Sequence, residues 1–121
     1  MDEIRQKITD ALLGISQNPL VKGYLVVRRD GLPILTTLDS SFDTTSVSAL
    51  SASLLGSFEL LSERLGEGTA EHIVIETDTS KIIALGGPLA ILLIIAASKL
   101  EAGEIIAFAK ASENQIEKIL A

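Results

Sequence analysis

Few side chains in this chain could carry out catalysis or hold a metal ion. There is one histidine, His72, and no cysteine, and a nucleophilic serine or threonine needs a neighbouring base to be activated. His72 is followed by Ile73, Val74 and Ile75, a run typical of a β-strand, so we interpret it as a structural residue, packed or at a sheet edge. One histidine without thiolates also fits poorly the ligand sets that zinc prefers. The sequence therefore predicts no catalytic residue, no metal site and no cofactor.

Two segments have residue types that elsewhere contact phosphate. Gly86-Gly87-Pro88 is followed neither by Gly-Lys-Ser/Thr nor by a helical pattern, so we interpret it as a turn between two strands. Arg28-Arg29, beside Asp30, could supply an arginine finger that stabilises a transferring phosphoryl group. The interpretation that we favour is two solvated charges at a turn.

Acidic side chains are numerous, but their spacing is that of helix surfaces and predicts no paired carboxylates in a pocket. The residues concerned are Glu59, Glu63, Glu101, Glu104, Glu113 and Glu117.

The most specific pattern lies between Val21 and Leu38. Two β-branched, apolar runs flank Asp30-Gly31, a dipeptide that readily takes the positive φ angles of a tight hairpin turn. Pro33 donates no hydrogen bond to a neighbouring strand, so it suits the first residues of a strand or a sheet edge. The segment resembles the roadblock/dynein light chain family, whose signature is Gly-hydrophobic-Val-Val, two or three polar residues, and Gly-hydrophobic-Pro-Ile. The matching positions are Gly23, Val26, Val27, Gly31, Leu32, Pro33 and Ile34.

Hydrophobic periodicity predicts the element order α-β-β-α-β-β-β-α across a single domain of residues 1–121. The predicted helices are Asp2 to Asn18, a second helix from an Asp43 N-cap to about Leu65, and a last helix that begins near Lys99 with Ser98 and Glu101 as a capping box. Gly103 weakens the first turn of the last helix and could shift its start by several residues. The predicted strands are Val21–Arg28, Leu32–Leu38, Glu71–Glu76, Lys81–Leu85 and Leu89–Ala97. The fold class is α/β (α+β), a five-stranded antiparallel sheet between helices, and it resembles the roadblock and profilin-like folds.

The second helix has two distinct faces. One is a long apolar stripe of Val47, Leu50, Leu54, Phe58, Leu61 and Leu65. The other carries small residues, namely Ala49, Ser53 and Gly56 with Ala52 and Ser57 beside them. The small-residue face could be solvated, or it could be a seam where two helices approach closely. Both interpretations stay open.

Composition limits the classes of partner. The net charge of −6 argues against nucleic acid and against anionic lipid, because both attract proteins through Lys and Arg. Ile82 to Ala97 is uncharged, but it is shorter than the ~20 residues of a spanning helix and is interrupted by Gly86-Gly87-Pro88, so we predict two buried strands and no membrane insertion. The acidic first residues lack the pattern of a secretory signal, and a cytoplasmic location is expected.

The resemblance to the roadblock family implies a homodimer that pairs through its second helix and third strand into one continuous sheet. Such a dimer would bind a Ras-like small GTPase and bias its nucleotide state without catalysis of its own. The residues expected at the dimer interface are Ala49, Ser53, Gly56, Leu60, Ile73 and Ile75. A scaffold subunit similar to a dynein light chain, without effect on GTP turnover, is the alternative. A small-molecule or enzymatic role and a heterodimer with another roadblock-like chain also stay open.

Overall fold

A five-stranded antiparallel sheet, in the order β2-β1-β5-β4-β3, organises the chain in the computed structural model, which describes residues 2–121. The helices are α1 (Asp2–Ala11), α2 (Leu13–Ser16), α3 (Thr44–Arg64) and α4 (Ala102–Leu120). The strands are β1 (Val21–Arg28), β2 (Pro33–Thr36), β3 (His72–Glu76), β4 (Ser80–Gly86) and β5 (Ala90–Ala97). The predicted fold class and element order are confirmed, apart from a division of the first helix.

The predicted first helix is interrupted at Leu12. Ile8, Leu12 and Ile15 are fully buried, as their spacing predicts. The N–H of Leu12 is shared between the carbonyl oxygens of Ile8 and Thr9, both at 3.1 Å, and its backbone turns out of the helical conformation. The prediction of one continuous helix to Asn18 is therefore wrong, although the predicted buried stripe is present.

The turn of the β1–β2 hairpin contains one residue with a left-handed backbone conformation. Gly31 has a φ of 96°, whereas Asp30 keeps a negative φ, so the expectation that both residues take positive angles is wrong. Gly31 N–H donates to Arg28 O at 2.9 Å and Arg28 N–H donates to Leu32 O at 2.8 Å, the bonding of a short hairpin loop that ends in a left-handed glycine. A Cβ at Gly31 would also lie 3.4 Å from Ala49 Cα, so this turn rests directly on α3.

Helices cover the two faces of the sheet unequally. On one face, α1, α2 and α4 close a large core. On the other face, α3 alone covers a smaller cluster formed by Leu25, Val27, Leu55, Ala84, Ile91 and Leu93. Ile73, Ile82 and Ile95 pack against this second cluster but stay only half-buried. The α3 face is therefore incompletely covered.

The uncharged segment Ile82 to Ala97 forms most of β4 and all of β5, joined at Gly86-Gly87-Pro88 as predicted. Within residues 2–121, no helix is both long enough and apolar enough to cross a membrane. The last helix begins at Ala102, within the shift that Gly103 allows. Its N-cap residue Glu101 makes no side-chain capping bond, so the predicted capping box is wrong.

Candidate protein-interaction site

Local sequence determines where α3 begins and ends. The Asp43 side chain accepts a hydrogen bond from Ser46 N–H at 3.2 Å, and the bonds from Ser46 lower the pKa of Asp43. At the other end Gly66 has a φ of 69°, and the N–H groups of Gly66 and Glu67 donate to Glu63 O and Ser62 O, each at 3.0 Å. This is a Schellman motif, which holds the last turn of the helix closed.

Small residues form the side of α3 that rests on the sheet. Ser48, Ser51 and Leu55 are buried there, and Ala52 is half-buried beside them. Ser51 Oγ donates to Val47 O at 2.7 Å, so its hydroxyl is satisfied within the helix. Small side chains thus let α3 approach the sheet of its own protomer closely, a role that the sequence pattern did not predict.

The apolar stripe of α3 faces outward instead of into the core. Leu50 is 68% exposed, Phe58 43%, Leu61 50% and Leu65 65%. Val47 and Leu54 are half-buried at the inner margin of the stripe. We call these six residues the leucine stripe. An exposed apolar surface of this kind on one element marks an interaction site.

The six residues expected at the dimer interface lie in two places. Ala49, Ser53, Gly56 and Leu60 are exposed on α3, and helical spacing places them on a different flank from the leucine stripe. A Cβ added at Gly56 would meet no heavy atom of residues 2–121 within 4 Å, so this flank is open. The remaining two, Ile73 and Ile75, are half-buried on β3.

Strand β3 forms an open edge of the sheet. Ile73 and Ile75 lie opposite Ala84 and Ile82 of β4, which belong to the α3 face. The other edge is protected, since β2 is four residues long, starts at Pro33 and pairs irregularly with β1. The open edge and the leucine stripe are therefore the surfaces on which a further chain could add.

The two arginines of the hairpin have different roles. Arg28 forms an exposed ion pair with Asp30 at 2.9 Å, as a solvated turn charge would. Arg29 instead forms a two-bond contact with Glu59 of α3, from Nη1 to Oε1 at 2.8 Å and from Nη2 to Oε2 at 2.6 Å. Its Nε donates to Gly87 O at 2.8 Å. The interpretation of Arg29 as a solvated charge is wrong, because its guanidinium joins the hairpin, α3 and the β4–β5 turn.

A pair of carboxyl groups meets the same turn from α4. Glu113 is only 5% exposed, and its Oε1 accepts from Gly87 N–H at 3.1 Å. Glu117 accepts from the N–H groups of Leu89 and Ala90 at 3.0 and 2.9 Å. A Cβ on Gly87 would lie 2.6 Å from Glu117 Cδ, so the glycine admits this contact. The expectation that Glu113 and Glu117 are unpaired surface residues is wrong.

Burial raises the pKa of Glu113 to about 9. A hydrogen bond and charge repulsion from Glu117 add to the rise, while the Gly87 N–H and Arg29 oppose it. Glu113 is therefore a neutral acid at pH 7. Its Oε2 is buried, and among residues 2–121 no N–H or hydroxyl group donates to it.

A cavity of about 510 Å³ lies between α4 and the loop before β3, lined by Thr69, Lys110, Glu113 and Asn114 among others. Lys110 forms an ion pair with Glu71 at 3.2 Å at this cavity. Within the described part of the chain, no group of three or more His, Asp or Glu side chains is placed to hold a metal ion. His72 lies exposed on β3.

The roadblock signature residues support the hairpin. Val26, Val27 and Ile34 are buried in the sheet, and Leu32 is half exposed at the turn. A Cβ on Gly23 would lie 3.0 Å from Leu38 Cδ2. These positions therefore shape β1 and β2, with Gly31 and Pro33 at the turn described above.

A five-stranded antiparallel sheet of this order, with one helix on one face and the terminal helices on the other, is the arrangement of roadblock and profilin-like domains. The sequence profile of the Roadblock/LC7 domain matches residues 7–96. The chain belongs to the Roadblock/LC7 domain family.

Individual proteins show the same relationship. An uncharacterized protein of Methanocaldococcus jannaschii is 31% identical over 108 residues, which cover 88% of this chain and 95% of that protein. The structure of Myxococcus xanthus MglB superposes with a TM-score of 0.83 at 20% identity, covering 94% of both chains. Profilin of Schizosaccharomyces pombe superposes with a TM-score of 0.65 at 15% identity, covering 95% of this chain and 97% of that one. At these identities the two structures confirm the fold.

Replacing Arg29 with Ala should destabilise the protein far more than replacing Arg28. Arg29→Ala removes three hydrogen bonds and leaves Glu59 and Gly87 O without their partner, so we expect a loss of about 1–3 kcal/mol in the free energy of unfolding. Arg28→Ala removes one exposed pair and should change it by less than about 0.5 kcal/mol. Urea unfolding followed by circular dichroism measures both. Equal effects would contradict the assigned role of Arg29.

Replacing Glu113 with Gln should change how stability depends on pH. Because the pKa of Glu113 rises from 4.5 to about 9 on folding, the native state keeps a proton that the unfolded chain releases, and stability falls as the pH rises between these values. Glu113→Gln cannot ionise, so its stability relative to the wild type should increase by more than about 1 kcal/mol from pH 5 to pH 8. Urea titrations at both pH values test this, with the exposed Glu104→Gln as control. Parallel profiles of wild type and Glu113→Gln would contradict the prediction.

Proposed function

We propose that this protein is a homodimeric, non-catalytic regulator or adaptor that binds a Ras-like small GTPase and biases its nucleotide state. The observation that carries the proposal is an outward-facing leucine stripe on α3 together with the open edge of β3, in a chain of the Roadblock/LC7 family. The roadblock resemblance implies dimeric partners of small GTPases, and the two surfaces supply a physical route to a dimer.

Self-association would remove both unfavourable features of the isolated protomer. Fully burying a leucine contributes about 1.5–3 kcal/mol, so half-burying several side chains of the leucine stripe in each copy gives a substantial driving force. Pairing of β3 with a second strand would satisfy its open backbone groups. The proposed interface comprises Ala49, Ser53, Gly56, Leu60, Ile73 and Ile75 together with the leucine stripe.

The chain itself offers little chemistry for phosphoryl transfer. The Arg29 guanidinium already bonds to Glu59 and Gly87, and Arg28 pairs with Asp30. An effect on GTP turnover would therefore come from holding the switch segments of the GTPase in one arrangement, which shifts the population between its states. The net charge of −6 favours a basic patch on the partner.

A scaffold subunit that tethers a partner without changing GTP turnover is the second candidate. It uses the same dimer, and the same exposed surfaces favour it. The dependence of binding on the nucleotide state separates the two functions.

Introducing a charge into the leucine stripe should weaken the dimer. We expect Leu61→Asp to move the molar mass in light scattering from twice the 12.8 kDa of one chain towards the single value, because a buried carboxylate in the interface is costly. Gly56→Leu tests the small-residue flank in the same way. Phe108→Asp, at a residue 63% exposed on α4, is the matched control and should leave the mass unchanged. A monomeric wild type, or an unchanged mass in both α3 variants, would contradict the proposed interface.

Binding to Ras-like GTPases from the same genome tests the function directly. The purified protein is titrated with each GTPase loaded with GDP or with a GTP analogue, and hydrolysis is followed in parallel. We expect the affinities to differ at least about tenfold between nucleotide states, which corresponds to about 1.4 kcal/mol of differential binding. Equal affinities would favour the scaffold, and no binding to any GTPase would remove the GTPase from the proposal.

A further inference from the structure

The five residues of β3 complement the same five residues read in the opposite direction. A basic side chain, His72, stands at one end, an acidic one, Glu76, stands at the other, and two isoleucines flank the central Val74. Such a sequence is complementary to itself when a second copy runs antiparallel beside it. The sequence of this open edge therefore favours a second copy of the same strand as its partner.

Symmetry restricts how two copies of β3 can pair. A two-fold axis perpendicular to the sheet keeps α3 of both copies on the same face and must pass between two equivalent residues. Overlap of the two strands is complete only when the axis passes between the two copies of Val74. In that register Ile73 lies opposite Ile75 of the second copy, and His72 lies opposite Glu76 of the second copy.

This register matches the two faces of the sheet. Ile73 and Ile75 are half-buried on the α3 face, where Ile73 packs against the cluster below α3 and Ile75 lies opposite Ile82. They would meet each other across the new strand pair. His72 and Glu76 are exposed on the opposite face, on either side of Val74. Opposed apolar side chains stabilise antiparallel pairs. A histidine N–H opposite a carboxylate can add a hydrogen bond across the pair.

The polar ends of β3, His72 and Glu76, form no ion pair within their own protomer, as far as residues 2–121 show. His72 lies opposite Leu85 of β4, and Glu76 lies opposite Lys81, whose Nζ donates instead to Leu100 O at 2.7 Å. The nearby Glu71 is paired with Lys110.

Other symmetric registers lose these contacts. An axis at Ile73 places His72 opposite Val74 of the second copy, and an axis at Ile75 places Val74 opposite Glu76. An axis at Ile75 also places His72 opposite Asp78, which lies beyond the end of β3. Both alternatives shorten the strand overlap by two residues and leave one charged end opposite an apolar side chain.

We propose that β3 pairs with β3 of a second copy of this chain in the register centred on Val74, and that two symmetric His72–Glu76 contacts select a second copy over a different roadblock-type chain. This inference rests on the proposed dimer and deepens it. A chain whose corresponding strand lacks a histidine-like donor at one end or a carboxylate at the other would bring at most one matched contact to the pair.

Exchange of the charges tests the register. His72→Glu places two carboxylates opposite each other at both ends of the strand pair, and we expect the dissociation constant of the dimer to rise about five- to thirtyfold. Glu76→Lys places a lysine opposite His72 of the second copy and should raise the dissociation constant less. The double variant His72→Glu with Glu76→Lys restores opposite charges at both ends, and its dissociation constant should return to within about threefold of the wild type.

Sedimentation equilibrium over a dilution series measures the dissociation constants, and circular dichroism confirms that each variant is folded. Lys99→Glu, an exposed charge reversal between β5 and α4, is the control and should dimerise as the wild type does. A dimer that resists His72→Glu, or a double variant that is not restored, would overturn the register and leave the proposed homodimer standing. A wild type that stays monomeric at every concentration would overturn both.

Discussion

The β4–β5 turn is the point on which the two helical layers depend. The backbone of Gly87 forms hydrogen bonds with residues from both sides of the sheet. Its carbonyl accepts from Arg29, and its N–H donates to Glu113. Arg29 carries the connection on to Glu59 of α3, and Glu117 extends it to Leu89 and Ala90. These contacts tie the hairpin, α3 and α4 to one short stretch of backbone. A side chain at Gly86 or Gly87 would overlap Leu55 or Glu117, so the turn also requires glycine.

This arrangement explains why α3 covers its face of the sheet only in part. Gly31 touches Ala49 at the hairpin turn and Gly86 touches Leu55 at the β4–β5 turn, so α3 is held against the end of the sheet where both turns lie. Small residues on its inner side permit that approach, and the larger leucines are left on the outside. The isoleucines of β3, β4 and β5 on this face stay half-buried because α3 does not cover them fully. The exposed apolar surface is thus a result of how α3 is anchored.

Features that depend on near neighbours in the chain could be predicted from the sequence. The bounds of α3 follow from Asp43 and Gly66, and β1 follows from its apolar run. The half-polar alternation of β3 fits its edge position, but it fits a strand with one partly exposed face equally well. Contacts between distant residues could not be predicted in the same way. Arg29 and Glu59 are 30 residues apart and Gly87 and Glu113 are 26 apart, and no periodicity connects them. The direction of the leucine stripe was missed for a related reason, because side-chain size alone does not show which flank of α3 meets the sheet.

The two edges of the sheet differ in a way that limits growth of an assembly. In a pair joined through β3, both outer margins are β2, a four-residue strand that begins with Pro33 and pairs irregularly with β1. Proline and short length make such a margin a poor template for a further strand. In such a pair, strand addition would end after one step, at ten strands in two copies, and would not lead to a fibre. One open edge is thus compatible with an assembly of limited size, because the opposite edge of the sheet does not readily accept a further strand.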